Sequence, residues 1–459
     1  MKKIILGLVS VAMLSAACGD SDEGSGGRSK TIKMQKLELD DAKYLSLTGT
    51  PSRAQSDESE VGLFKIDENG NISTVVLSCV EAGTVTKVRN DIQVMPRHLF
   101  SLSGAYTLML QCEFKTAEGN YFDMRPYYEP DAFYFHILVR NSDGKIFYIP
   151  QSAGKYFEIP EPPVTALGNN GDLYILPHEG RDLLAVTMQN EDLVLKQVNP
   201  NAVGIEGNEI WPLDNGTIVV PSWTDAYTFL YPNGGFERLI PTYEHPIILA
   251  KTDSGIKAVQ VEERAGSPQR EYIVSLHDYH VGRWAGSNTI SAPIASISSG
   301  TDYSTNLGDP DYIDWVSKVC AIWLYPVYET ADSYFLGQCL VVDKQTSQIT
   351  PLNWDQSGRL IFPTEENTYK GLAWQVSSNG ASWFNIETLE YGDVYFDLSS
   401  AGCELYVLSE NIPSGEATLT GVRNSDGKQI VCFVNIETGA AVFSEQDSNR
   451  PVTVLIPLN

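Results

Sequence analysis

Residues 384–396 read FNIETLEYGDVYF and residues 433–444 read FVNIETGAAVFS; the tetrapeptide Asn-Ile-Glu-Thr stands at 385–388 and again at 435–438, 50 residues later. In both stretches short apolar runs flank a polar turn, the pattern of a β-hairpin. Six earlier stretches read the same way: FKIDENGNISTV from 64, LVRNSDGKIFYI from 138, VTMQNEDLVLKQV from 186, FLYPNGGFERLI from 229, VSLHDYHVGRWA from 274 and VVDKQTSQITPL from 341. Successive starts are 74, 48, 43, 45, 67, 43 and 49 residues apart. Five of these seven spacings fit one four-stranded propeller blade. Even the most helix-like segment, 181–198, has its apolar residues in two short runs and reads as a hairpin. One four-stranded sheet cannot bury both faces, and stacking such sheets around a ring can. The expected fold is therefore all-β: a β-propeller of eight four-stranded blades in a single domain over residues 31–459, or seven if one unit supplies closing strands.

A second turn precedes several of these hairpins: Asn170-Gly171-Asp172, Asn215-Gly216-Thr217 and Ser254-Gly255-Ile256. Glycine supplies the positive φ that such turns need. If strands are lettered A to D from the centre outward, these are A–B turns and the eight hairpins are C–D turns. The B–C connections then fall at 49–60, 114–132, 177–182, 222–226, 263–271 and 327–333, all at the opposite end of the blades with the D–A crossings. VRNSDGK occurs identically at 139–145 and 422–428, 283 residues apart. That interval is no clean multiple of the period, so one good turn is used in two registers. Asn435-Ile436-Glu437-Thr438-Gly439 with Phe443 resembles the D-x-x-T-G-x-x-x-W turn of quinoprotein-type propellers, with Asn435 in place of Asp and Phe443 in place of Trp. The resemblance implies the fold and says nothing for a quinone cofactor.

The chain of 459 residues has 32 Lys plus Arg against 58 Asp plus Glu, a net charge of -26. Nucleic acid is excluded as the main partner, because phosphate contacts need a basic face. With 42% hydrophobic and 10% aromatic residues the chain is not disordered. Lys2 and Lys3, an apolar run from Ile4 to Leu14, then Ser15-Ala16-Ala17-Cys18 make a signal segment over 1–17. The small residues before Cys18 resemble a bacterial lipobox, which implies acylation of Cys18 and anchoring in outer-membrane lipid. Residues 18–30 are Gly- and Ser-rich, a flexible tether of roughly 20 Å r.m.s. span. Within it Ser21-Asp22-Glu23 resembles the acidic export signal of surface-exposed lipoproteins in one group of Gram-negative bacteria, which implies exposure on the exterior. Six cysteines follow the tether: Cys79, Cys112, Cys320, Cys339, Cys403 and Cys432. Either buried thiols or disulfides suit them, with Cys320–Cys339 the first candidate pair because their strands should be neighbours.

Long loops gathered at one end of a rigid scaffold point to a binding surface. The longest B–C segment, 119–136, reads GNYFDMRPYYEPDAFYFH. Tyr127 and Tyr128, between Pro126 and Pro130, are expected to be its exposed aromatics; Phe133 and Phe135 are expected in the core of the next strand. The candidate ligand-binding residues on this end are Arg125, Tyr127, Tyr128, His178, Arg181, Trp223, Asp225, Arg264 and Glu329. Aromatic faces beside carboxylates and guanidinium groups stack on sugars and also serve as hot spots of protein interfaces. Asp309-x-Asp311-x-x-Asp314, in an insertion over 298–317 read as an A–B connection, lacks the Gly and distal Glu of a known calcium loop. No HExxH, GxSxG, P-loop or dinucleotide motif is present. No catalytic residue, metal or cofactor is expected. The expectation is a non-enzymatic propeller binding a glycan or a protein partner; the alternative is a propeller-fold glycosidase or lyase.

Overall fold

The computed structural model describes residues 31–458, apart from 49–61, 83–85, 158–160, 179–181, 190–191, 203, 223–225, 240–247, 253–254, 264–271, 281–282, 295–305, 317–318, 328–337, 344–348, 353–360, 362, 364–366, 378–379, 397–401 and 446–451. The described strands form nine four-stranded antiparallel sheets. Eight of the nine are meanders pairing in the order A–B–C–D, and each of the eight hairpins read from the sequence closes one C–D pair. Residues 181–198 are one of them, with Leu184–Gln189 against Asp192–Gln197.

The first sheet joins the two ends of the chain. Its strand A is Val452–Pro457, paired with Tyr44–Thr48, followed by Gly62–Ile66 and Ile72–Thr74. Val452–Pro457 touches strand A of the second sheet, His98–Leu102, and strand A of the eighth, Cys403–Asn411. The A strands also touch in chain order between the second and third sheets, the third and fourth, and the fifth and sixth. The chain is thus a β-propeller by its strand pairing.

The turns explain the repeat. The Asn385 side-chain oxygen accepts the N–H of Glu387 (2.9 Å) and Thr388 (3.0 Å), and that of Asn435 accepts Glu437 (3.1 Å) and Thr438 (3.0 Å). Both turns then pass through a left-handed residue, Leu389 at φ 60 and Gly439 at φ 69. Both VRNSDGK copies fold alike too. Arg140 grips Asp143 through two bonds of 2.9 and 2.6 Å, and Arg423 grips Asp426 through 3.0 and 2.6 Å. The first copy is the C–D turn of the second sheet and the second is the B–C turn of the eighth. A turn stabilised from within suits either end of a blade.

The ninth sheet is a departure from the simple repeat. It comprises Thr31–Leu37, Val76–Ala82, Lys87–Met95 and Glu113–Thr116. It wedges between the first two meanders: Lys87–Met95 touches Gly62–Ile66, and Thr31–Leu37 touches Ile146–Ile149. Its Leu77, Ile92, Val94 and Phe114 share one core with Leu45 and Leu63 of the first sheet and with Leu99, Met109 and Ile137 of the second. This insertion accounts for the 74-residue spacing. The 67-residue spacing comes from long strands, Arg283–Ile294 and Asn306–Val316. The reading of 298–317 as an A–B connection is corrected accordingly. Asp309, Asp311 and Asp314 lie within strand A of the sixth sheet, which pairs with Val319–Val327 through shifted register.

Cys79, Cys112 and Cys432 are buried free thiols. Cys320 and Cys339 do lie on neighbouring strands. Cys320 faces Val342 and Cys339 faces Trp323, an offset of three residues or roughly 10 Å along the strand. A disulfide needs Cα atoms within about 7 Å, so that pairing is corrected.

The junction of the eighth and first sheets is packed by Tyr44, Ile66 and Leu455 against Val431 and Phe433. The Tyr44 and Phe433 rings stack at 4.8 Å. Glu416 of the eighth sheet accepts the Tyr44 hydroxyl at 2.8 Å and is bonded by the Lys43 ammonium. Burial, then this carboxylate, pushes the Tyr44 pKa up. Replacing Glu416 by Ala leaves a buried hydroxyl without its acceptor and should lower unfolding stability by about 1–3 kcal/mol, measured by denaturant titration. Lys370→Ala, which removes an exposed pair with Glu437, should change it imperceptibly.

Candidate functional site

The B–C segment of the second sheet leaves the blade at Gln111 and returns at His136. Gln111 takes a left-handed φ of 53, and its N–H donates to His136 Nδ1 at 3.1 Å. The Cys112 N–H donates to the Phe135 carbonyl at 2.7 Å. These two bonds pin both ends of the excursion at the blade. Between them Glu113–Thr116 joins the ninth sheet and residues 117–120 make a turn. The chain then returns beside Glu113–Thr116 through the Phe122 N–H to Phe114 carbonyl bond (2.7 Å).

The short helix Arg125–Tyr128 carries three of the expected site residues, and their surroundings differ from expectation. Tyr128 is half-buried, packing on Phe135 and Tyr148 with centroids at 5.5 and 4.8 Å. Its hydroxyl accepts the Met34 N–H at 2.8 Å, and burial pushes its pKa up to about 12. Tyr127 stacks on Phe122 at 6.4 Å, and the Arg89 guanidinium lies 5.1 Å from the Phe122 centroid. Both tyrosines are thus packing residues, and the expectation that they are the exposed aromatics is corrected. The cause is that the helix turns them back onto the ninth sheet. Arg125 is exposed but already bonded to both Asp123 oxygens, at 2.9 and 2.8 Å; this bond raises the Arg125 pKa and lowers that of Asp123.

The exposed rings are Tyr121, Phe133 and Tyr134, at 59%, 84% and 57%. Phe135 is buried as expected and Phe133 is not. A period-two reading fails there because 130–134 is a turn, closed by the Ala132 N–H to the Glu129 carbonyl, and the strand begins only at His136. Tyr121 belongs to the same stretch but precedes the proline-flanked pair, so nothing in the local sequence singles it out.

His178 lies at the B–C end of the third sheet and is exposed, with Nε2 2.8 Å from Glu161 of the preceding D–A crossing. Glu129 similarly accepts the Tyr148 hydroxyl (3.0 Å) and the Gln151 N–H (2.7 Å) at the end of strand D. Both contacts place the B–C connections and the D–A crossings at one end, as the lettering requires. Arg181, Trp223, Asp225, Arg264, Glu329 and the acylation candidate Cys18 lie outside the described residues.

A cleft of about 240 Å³ lies between the first sheet and the ninth, lined by Phe64, Thr74, Gln93, Met95, Lys115 and Ala117 among others. It sits at the B–C end, because Gly62 and Thr74 terminate their strands there and Ala117 belongs to the long B–C segment. A Cβ on Gly62 would come within 2.6 Å of Phe64 Cε2, so the ring is folded over that glycine. Leu63 and Val94 floor the cleft. It offers an apolar base with an amide, a hydroxyl and an ammonium at its margin. Lys115 pairs with Tyr121 through backbone, which sets exposed Tyr121 beside the cleft.

No protein-family model matches the chain, and no curated protein matches it. Among solved structures it is similar to a quinonprotein alcohol dehydrogenase-like protein from Bacteroides thetaiotaomicron, with 12% identity, a TM-score of 0.32, and 94% of this chain and 95% of that one covered. It is also similar to YCF48 bound to D1 peptide, with 12% identity, a TM-score of 0.29, and 74% and 94% covered. A third is a protein of unknown function from Bacteroides caccae, with 10% identity, a TM-score of 0.25, and 70% and 93% covered. The propeller assignment rests on the strand pairing and not on these similarities.

His136 makes the base of the segment sensitive to acid. Burial pulls its pKa from 6.5 to about 4, and its Nδ1 can accept the Gln111 N–H only when unprotonated. The folded state therefore holds the full contribution above pH 6.5 and loses it as pH falls toward 4. The loss approaches about 3 kcal/mol at the lower limit. Melting curves from pH 7 to 4 should show the native chain losing stability more steeply than His136→Gln over that window.

Proposed function

We propose that this chain is a lipid-anchored, non-enzymatic β-propeller on the outer surface of an outer membrane, binding a glycan or protein partner at its B–C end. The observation that supports binding there is that one B–C segment leaves three large rings, Tyr121, Phe133 and Tyr134, exposed, with Tyr121 bridged to Lys115 of the cleft. Large rings left in water on one loop segment mark interaction surfaces. Aromatic side chains also supply much of the affinity at such surfaces. The non-catalytic reading is supported by the state of the nearby carboxylates. Asp123 is held by Arg125, Glu129 by Tyr148 and Gln151, and Glu161 faces His178. Arg125 and His178 are rim residues of this surface, each already paired. The anchoring reading rests on the residues around Cys18.

Phe133→Ser combined with Tyr134→Ser should weaken binding to a glycan array or to extracted surface proteins at least tenfold, about 1.4 kcal/mol. The melting temperature should stay within a few degrees, because both rings lie outside the core. Tyr128→Ala should do the reverse, lowering the melting temperature first. A double variant that binds like the native chain would remove these rings from the site, and release of reducing ends from any bound glycan would overturn the non-catalytic reading. For the anchor, Cys18→Ala should move the protein from the membrane fraction to the soluble fraction, followed by immunoblot.

A further inference from the structure

The strand Thr31–Leu37 fixes where the preceding tether leaves the propeller. It runs antiparallel beside Ile146–Ile149, with a bridge between Lys36 and Lys145. The Leu37 N–H donates to the Gly144 carbonyl at 2.9 Å, and Gly144 belongs to a C–D turn. Three residues earlier, the Met34 N–H donates to the Tyr128 hydroxyl, and Tyr128 belongs to the long B–C segment. Going back toward Thr31, the strand therefore climbs from the C–D end of the second sheet to its B–C end. Twelve residues lie between Cys18 and Thr31, an r.m.s. reach of roughly 20 Å for a Gly- and Ser-rich chain.

We infer that the B–C end is turned toward the anchoring membrane, and that its exposed rings Tyr121, Phe133 and Tyr134 dock on a protein embedded in that membrane. The inference rests on the acylation of Cys18 and the binding reading above, and narrows the partner. Tether length keeps these rings near the bilayer, where loops of an embedded protein are presented at high effective concentration. Charge argues against a bare lipid surface: between 117 and 135 Glu118, Asp123, Glu129 and Asp131 stand against Arg125 alone. The partner's complementary surface is basic and takes aromatic rings, the chemistry of Arg-rich interface pockets.

The test places one donor dye on the full-length acylated chain, at exposed Asp131 or at exposed Ser142, and acceptor dyes on lipid headgroups. Those two positions lie at opposite ends of a strand roughly 17 Å long, so transfer from 131 should exceed transfer from 142 by about twofold or more in native outer-membrane vesicles. The excess should be smaller in protein-free phosphatidylcholine vesicles, where only the tether acts. Changing Tyr121, Phe133 and Tyr134 together to Ser should reduce the native-vesicle excess to that lower level. Equal transfer from 131 and 142 in native vesicles overturns the orientation. An excess equal in both vesicle types, or one that survives the triple change, overturns the embedded partner in favour of bare lipid or a second copy. A Cys18→Ala chain that still reports transfer in the protein-free vesicles would refute the anchor alone, which keeps the two failures distinct.

Discussion

The pairing of Val452–Pro457 with Tyr44–Thr48 is the constraint on which the rest of the molecule depends. Each meander is apolar on both faces and buries neither by itself. Interior sheets have two neighbours by chain order, and the end sheets have one each unless the ends meet. Making the last strand the innermost strand A of the first sheet sets that sheet between the eighth and the second. Tyr44 can then stack on Phe433, and Leu455 shares a core with Val431. Glu416, Tyr44 and Lys43 add a polar clasp over the same seam. Without the pairing, a propeller would be an open array with two exposed apolar faces, an invitation to aggregation.

What the sequence revealed and what it hid divide along the range of the interaction. The C–D hairpins and the Asn-Ile-Glu-Thr turns are local, and Asn385 and Asn435 encode theirs within four residues. The two VRNSDGK turns were readable for the same reason, down to their use in different registers. The ninth sheet was not. Thr31–Leu37 and Val76–Ala82 have the alternation of any strand, and the partner of each lies about 45 residues away. The Cys320–Cys339 expectation failed on register, which neighbouring strands alone do not set.

The candidate site shows the same division. That the 119–136 segment gathers aromatics at the B–C end was legible from composition and turn order. Which rings face water was not, because it depends on contacts from other sheets. Met34 bonds Tyr128, Arg89 covers Phe122, and the ninth sheet draws Tyr127 and Tyr128 inward. Phe133 and Tyr134 are left outside by a turn that interrupts strand periodicity. The cleft likewise arises only where the first and ninth sheets meet, between residues far apart in sequence such as Phe64, Gln93 and Lys115.

The closing pair can be interrogated by amide hydrogen exchange resolved by residue. If the two ends of the chain are joined as described, the amides of Val454 and Ile456, opposite Leu47 and Leu45, open only with the whole fold. Their protection should then match that of Leu45, Leu47, Val431 and Val434. Exchange of the 452–457 strand orders of magnitude faster than these neighbours would contradict the joined ends, and with them the shared first sheet on which the fold rests.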